Sequence, residues 1–232
     1  MDKSKDKIRT MFDAIAPRYD LLNHLLSLGI DKRWRRAVVA KVKKDAPAEI
    51  LDVATGTCDL SIALAKGCHE AHVTAIDLSK EMLEVGKKKV VKQSLTKRMH
   101  LKQEDALHMS FLDSSFDVLT IAFGIRNFEN IDKGLMEFRR VLKEGAKVYI
   151  LEFSKPKKSI LSAFYIFYFK KILPLIGRLV SKNKGAYTYL PESVLNFPSG
   201  EEFKKHLSDA GFREVKSRTM TMGIVTLYWA TV

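Results

Sequence analysis

The run Ile50-Leu51-Asp52-Val53-Ala54-Thr55-Gly56-Thr57-Cys58-Asp59-Leu60 passes from apolar, β-branched residues through small ones into the helical pattern of Ser61-Ile62-Ala63-Leu64-Ala65. A strand, tight turn and helix of this kind bring bare backbone and a helix N-terminus to the carboxyl end of the strand, where open α/β sheets bind ligands. Asp77 ends the next apolar run, Val73-Thr74-Ala75-Ile76, and a carboxylate there can accept both hydroxyls of a ribose. Asp105 follows Met99-His100-Leu101-Lys102-Gln103, placed to take the amino group of an adenine while the Ala106 amide meets a ring nitrogen. Its structural alternative is a turn or N-cap aspartate. Arg126 and Asn127 emerge just past a fourth apolar run, Phe116 to Phe123, at the same edge. Charged and amide groups on such loops point to function.

The elements that must hold these residues alternate. Strands are expected at 50–53, 73–77, 99–103, 116–123 and 147–153, with helices from Ser61, from Lys80 to Val91 and from Ile131 to Leu142, and a turn at Glu144-Gly145. That rhythm makes a parallel, doubly wound sheet. Before it, Ile8, Met11, Phe12 and Ile15 fall at helical spacing up to Pro17, and a leucine-rich second helix stops near Gly29. Residues 1–45 are thus a helical segment able to close over a ligand, with Tyr19, Asp20 and Asn23 as its polar candidates, or simply a helical pair packed on the sheet. After a helix from Ser199 to Ala210, Glu214–Thr219 and Ile224–Ala230 read as strands joined around Met222-Gly223, an antiparallel hairpin. A dinucleotide-binding sheet would continue in parallel.

Between the fifth strand and that helix, residues 154–198 break the rhythm. Ser159 to Phe169 is uncharged and ends at Lys170-Lys171, and Ile172 to Val180 is again apolar and flanked by Lys182 and Lys184. These runs are too short to span a bilayer. Aromatic and aliphatic residues bracketed by lysines suit an interfacial helix or the wall of a lipid site, with packing on the sheet as the alternative.

The chain has 232 residues, 46% of them apolar, enough for one domain over 1–232, and a formal charge of +13. That charge points to nucleic acid, anionic lipid or an acidic ligand. Cys58 and Cys68 flank a helix and cannot bridge across it, and no clustered Cys/His set exists, so a reduced, metal-free, cytoplasmic protein is expected. Met1 to Lys7 leads into an amphipathic pattern, so no secretory signal is expected.

The strand, turn, second strand and terminal acid, closed by the hairpin, resemble class I S-adenosylmethionine-dependent methyltransferases. Of that family's usual acid-x-Gly-x-Gly-x-Gly, this chain keeps Asp52 and Gly56, with Ala54 and Cys58 at the flanking glycine positions. Phe12-Asp13-x-Ile15-Ala16-x-x-Tyr19-Asp20-x-x-Asn23, Ser27-x-Gly29, Phe123-Gly124-Ile125-Arg126-Asn127, Leu151-Glu152-Phe153-Ser154-Lys155-Pro156, Tyr187-x-Tyr189-Leu190-x-x-Ser193 and Ala210-Gly211-Phe212 together are similar to the ubiquinone/menaquinone biosynthesis C-methyltransferases over nearly the whole chain.

That resemblance implies a mostly parallel seven-stranded sheet and methyl transfer from S-adenosyl-L-methionine to a ring carbon of a polyprenylated demethylmenaquinol. It implies cofactor contacts at Asp52, Gly56, Thr57, Asp77, Asp105 and Ala106, the Thr57 hydroxyl and amide facing the methionine carboxylate. Ala122 stands where many relatives carry a serine, which removes a side-chain contact. Arg126 is expected to stabilise the phenolate and Asn127 to orient the ring hydroxyl or a water, with helix capping and sheet-edge hydrogen bonds as the structural alternative. The basic, aromatic insertion then docks a peripheral enzyme on the anionic inner face of the cell membrane, with no nucleic-acid partner and a homodimer allowed. A methoxy-polyprenyl-benzoquinol substrate, an RNA methyltransferase and a cofactor-less scaffold remain the alternatives.

Overall fold

The central strands are apolar at nearly every position because both of their faces are covered. A computed structural model describes residues 3–27, 29–155 and 184–232 of the protein. Strands β1 (Glu49–Val53), β2 (His72–Asp77), β3 (Met99–Gln103), β4 (Phe116–Ala122), β5 (Leu142–Phe153), β6 (Arg213–Met220) and β7 (Val225–Thr231) form one sheet in the order β3-β2-β1-β4-β5-β7-β6. The first five run parallel, and β7 lies antiparallel between β5 and β6. Helices α1 (Lys5–Ile15), α2 (Tyr19–Leu26) and α3 (Asp31–Val42) precede the sheet, α4 (Asp59–Gly67), α5 (Lys80–Lys92) and α6 (Ile131–Val141) connect its strands, and α7 (Lys184–Asn196) and α8 (Glu201–Asp209) lead into the hairpin.

Successive strand residues alternate between two cores. Leu51, Leu119, Ile121 and Ile150 pack with Phe138 of α6 and Phe203 and Leu207 of α8. Ile50, Val118 and Leu151 pack with Val38 and Val42 of α3 and Leu64 of α4. The chain steps outward from β1 to β2 and β3, then returns to the other side of β1 as β4. That reversal opens a crevice at the carboxyl ends of β1 and β4, the place where such sheets take ligands.

Two boundaries differ from the sequence reading. β5 begins at Leu142 instead of after a turn, because Gly145 adopts a left-handed φ of 75° and a register shift between Phe116 and Val118 lets Phe116 pair with Leu142. α8 starts at Glu201, behind Gly200 with φ 71°. The lysine-bracketed run from 159 to 180, assigned to an interfacial role, lies outside the described residues, and α7 is the described end of the insertion. Among the described residues no helix is long and apolar enough to cross a membrane.

The turn after β1 packs directly on α5 through a missing side chain. Gly86 is buried, and a Cβ there would collide with the Cys58 Sγ. We therefore expect Gly86→Ala to destabilise the protein by about 1–3 kcal/mol, the range for overfilled cores. Adding Cys58→Gly should recover most of that loss, as measured by thermal or urea unfolding; independent, additive effects of the two changes would contradict the contact.

Candidate active site

Asp52, 1% exposed, lies under the turn that follows β1. Its carboxylate accepts from the Thr120 hydroxyl at 2.6 Å, from Thr55 at 2.8 Å and from Ser61. Burial pushes its pKa up while the three hydroxyls hold the charged form. The turn above contains three left-handed residues, Ala54 (φ 50°), Gly56 (φ 56°) and Cys58 (φ 65°). Each left-handed residue other than glycine carries a penalty of about 1–2 kcal/mol, so the alternate-glycine pattern has a conformational cause and this chain departs from it at two positions. Backbone hydrogen bonds hold the shape: Thr55 N to the Ile76 carbonyl at 2.9 Å and Cys58 N to the Thr55 carbonyl at 3.0 Å. The Cys58 thiol is fully buried, with its pKa pushed up to about 12 by burial, and it packs toward Gly86.

Asp77 joins this turn to the next one. Its carboxylate accepts the Gly56 N–H at 2.7 Å and the Ser79 N–H at 2.8 Å. Burial raises its pKa to about 6, against those two donors and with the nearby Asp52 charge adding to the rise.

A cavity of about 650 Å³ runs along the ends of β3, β2, β1 and β4. Its floor is ordered as the sheet is: Asp105 and Ala106 after β3, Asp77 after β2, Ala54 and Gly56 after β1, then Ala122, Phe123 and Asn127 after β4. The size suits a drug-sized ligand. The lining carries carboxylates at Asp77, Glu104, Asp105 and Glu129, aromatic rings at Phe12, Tyr19, Phe123 and Phe128, and amides at Asn127 and Asn130.

The N-terminal helices form the roof. Lys5, Ile8 and Phe12 of α1 and Tyr19 at the start of α2 line it, and the Tyr19 ring lies over Gly56. The loops after β1, β2 and β3 are each tied to the roof by polar contacts. Lys5 pairs with Asp105 at 2.8 Å, Asp13 accepts the Ser79 hydroxyl at 2.5 Å, and Asp20 accepts the Thr57 hydroxyl at 2.5 Å and Lys89 Nζ at 2.9 Å. Burial raises the Asp105 pKa, but the Lys5 bond and the Leu107 N–H outweigh it and leave the carboxyl below its usual range. Nearby, His24, Asp31 and Asp59 bring ligating atoms within 4.8 Å of one another. Arg35 bridges the two carboxylates, at 2.5 and 3.1 Å, and supplies the charge a cation would bring.

Of the positions read from sequence, Gly56, Asp77, Asp105, Ala106 and Asn127 line the cavity. Three others, Asp52, Thr57 and Arg126, do not line it. Asp52 supports the turn from beneath. The Thr57 side chain, 2% exposed, faces Asp20 and Lys89, which leaves only its backbone near the ligand side. The Arg126 guanidinium is buried one layer back, its Nη1 donating to Glu152 Oε1 at 3.0 Å and to the Phe123 carbonyl, so it does not reach the cavity directly. Glu152 is itself fully buried; burial raises its pKa against the pull of Arg126. Sequence reasoning gave no role to Lys5, Asp13, Glu152 or Tyr189. Glu152 alone carried a signal, a charge inside an otherwise apolar strand.

A ribose held by Asp77 would make ligand binding pH-dependent. Ribose hydroxyls donate to the ionised carboxylate, so affinity should be level above its pKa of about 6 and fall as pH drops through that value. Calorimetric titration with S-adenosylhomocysteine, the nucleoside implied by the sequence resemblance, is expected to weaken by up to about tenfold per pH unit below 6. Asp77→Asn should bind more weakly and lose that dependence; a wild-type affinity that stays flat to pH 5 would contradict the assignment.

Comparison with known proteins identifies the family. The model of the ubiE/COQ5 methyltransferase family matches residues 1–232. The chain is 45% identical over 232 residues to the demethylmenaquinone methyltransferase of Bacteroides fragilis, covering 99% of this chain and 94% of that one. It is 47% identical over 224 residues to the ubiquinone/menaquinone biosynthesis C-methyltransferase UbiE of Geotalea daltonii, covering 96% and 95%. Among solved structures it is similar to an S-adenosylmethionine-dependent methyltransferase from Aquifex aeolicus (TM-score 0.60, 24% identity, 84% and 89% covered). It is also similar to the [4+2]-cyclase SpnF (TM-score 0.71, 14% identity, 98% and 96% covered), so this fold is shared by different chemistries and does not itself define the reaction. The match of the family model along the whole length, together with relatives of this identity, shows that the chain belongs to the ubiE/COQ5 methyltransferase family.

Proposed function

We propose that this protein methylates a ring carbon of demethylmenaquinol with S-adenosyl-L-methionine, giving menaquinol and S-adenosylhomocysteine. The observation that carries the reading is the order of the lining residues along the strand ends. Along the strand ends Asp77 is placed for the ribose and Asp105 with Ala106 for the adenine, while Ala122, Phe123 and Asn127 past β4 are placed for an aromatic acceptor. The chain is an S-adenosylmethionine-dependent methyltransferase by family and fold.

When bound, S-adenosylmethionine supplies a sulfonium methyl, which a quinol ring carbon activated by loss of a phenolic proton can take as the carbon–sulfur bond breaks. The residues of the chain then have mainly to align the two reactants and favour the ionised ring oxygen. Asp52 and the left-handed turn fix the floor, and Tyr19 with α1 excludes water from above. Residues 1–45 act as a lid and 154–198 as the route for the prenylated substrate. The charge of +13 favours anionic lipid, so in this reading the protein works peripherally on the inner face of the cell membrane.

Both parts can be tested. Under reducing conditions, with methyl-labelled S-adenosylmethionine, label should appear in menaquinol; label only in a methoxy-polyprenyl-benzoquinol offered beside it would move the substrate to the ubiquinone branch that UbiE relatives are named for. The protein should sediment with phosphatidylglycerol vesicles, less so as salt is raised, and not with phosphatidylcholine vesicles; equal binding to both would remove the electrostatic argument.

A further inference from the structure

The turn carrying Asn127 is joined to α7 by one hydrogen bond. The Tyr189 hydroxyl donates to Asn127 Oδ1 at 3.0 Å, and Asn127 is 8% exposed while lining the cavity. Among the described residues this is the one hydrogen bond of the Asn127 side chain, and it is made at Oδ1. A side-chain amide offers an acceptor at one end and two N–H donors at the other. With Oδ1 satisfied by a neighbour that does not itself line the cavity, what Asn127 has left for a ligand is its donor end.

We propose that Tyr189 is a positioning residue that fixes the polarity of the Asn127 amide, so that Asn127 donates to the ionised ring oxygen of the acceptor rather than accepting from its hydroxyl. This inference rests on the quinol reading above and assigns the acceptor end of that same site. A donor aimed at a forming oxyanion in a site closed to water stabilises the charged form far more than it would in bulk solution. The arrangement also explains how the turn after β4 is braced: α7 packs on the Ile125–Asn127 turn and on α1, so the floor, the roof and the segment after the insertion meet at this bond. The charged and titratable groups facing it are Arg126 and Glu152 from the turn and β5, Lys3 ahead of α1, Tyr19 of α2 and Glu192 of α7.

Two near-isosteric changes test the polarity in the full-length protein with demethylmenaquinol in mixed micelles. Tyr189→Phe frees the amide to turn: kcat should fall about tenfold, the acidic limb of its pH profile should move to higher pH, and the Kd for S-adenosylhomocysteine should stay unchanged. Asn127→Asp replaces the donors by a second anionic oxygen, and kcat should fall roughly a hundredfold or more. Asn127→Asp retaining or gaining activity would mean that position 127 accepts, and would overturn the inference. So would a Tyr189→Phe enzyme with unaltered kcat, or one with reduced kcat and an unmoved pH limb, which marks a purely structural bond. A wild-type protein that binds S-adenosylhomocysteine but leaves demethylmenaquinol unmethylated would overturn the quinol reading instead.

Discussion

The structure depends on one buried carboxylate. Asp52 collects hydroxyl bonds from Thr55, Ser61 and Thr120, which belong to the turn after β1, to α4 and to β4. It thereby pins the three elements around the switch point of the sheet. The turn it supports runs through left-handed conformations at Ala54 and Cys58 that their side chains disfavour. Such strain persists only where the surroundings over-determine it, and it gathers at functional sites. Here the surroundings are Asp52 below, Asp77 holding the Gly56 N–H from one side, and Gly86 giving way to the Cys58 thiol on the other.

Closure is built on the same loops. Lys5, Asp13 and Asp20 each reach from the N-terminal helices to a different strand end, to Asp105, Ser79 and Thr57. The residues that would contact a nucleoside, or their immediate neighbours, are therefore also the ones that hold the roof. Of the three contacts only Lys5–Asp105 is an ion pair, and with Lys5 half-exposed it is individually weak; Asp13 and Asp20 accept the hydroxyls of the buried Ser79 and Thr57. Burial of Arg126 with Glu152 follows a different logic. A pair removed from water is rigid and hard to break, and it fixes the turn that presents Asn127.

Much of this was legible in the chain because strand ends announce themselves. Asp77 and Asn127 follow apolar runs and Asp105 follows the short alternating strand Met99–Gln103, so their placement at the carboxyl ends of the strands was readable from pattern. The antiparallel ending was readable from the short turn at Met222-Gly223. Contacts that close over long sequence distances were not. Nothing near Thr57 signals that Asp20 will engage its hydroxyl, and Lys5 looks like any solvated lysine until α1 is folded over β3. Arg126 shows a related limit: a charged residue past a strand end suggests a ligand contact, and a hydrogen bond within the sheet edge looks the same in sequence. The competing partner, Glu152, was visible only as an anomaly inside the apolar run Tyr149-Ile150-Leu151-Glu152-Phe153. Tyr189 gains meaning only once α7 is docked on the turn.

The account stands most directly on Asp52, which supports the ligand site without lining it. Calorimetric titration of Asp52→Asn with S-adenosylhomocysteine isolates that role, because an amide of the same size leaves the core filled while forcing an N–H toward hydroxyl donors. Loss of charge-assisted hydrogen bonds worth about 1.5–3 kcal/mol each should loosen the turn and weaken binding at least about tenfold, in a protein that still unfolds cooperatively. A folded Asp52→Asn variant that binds S-adenosylhomocysteine as tightly as the wild type would contradict it.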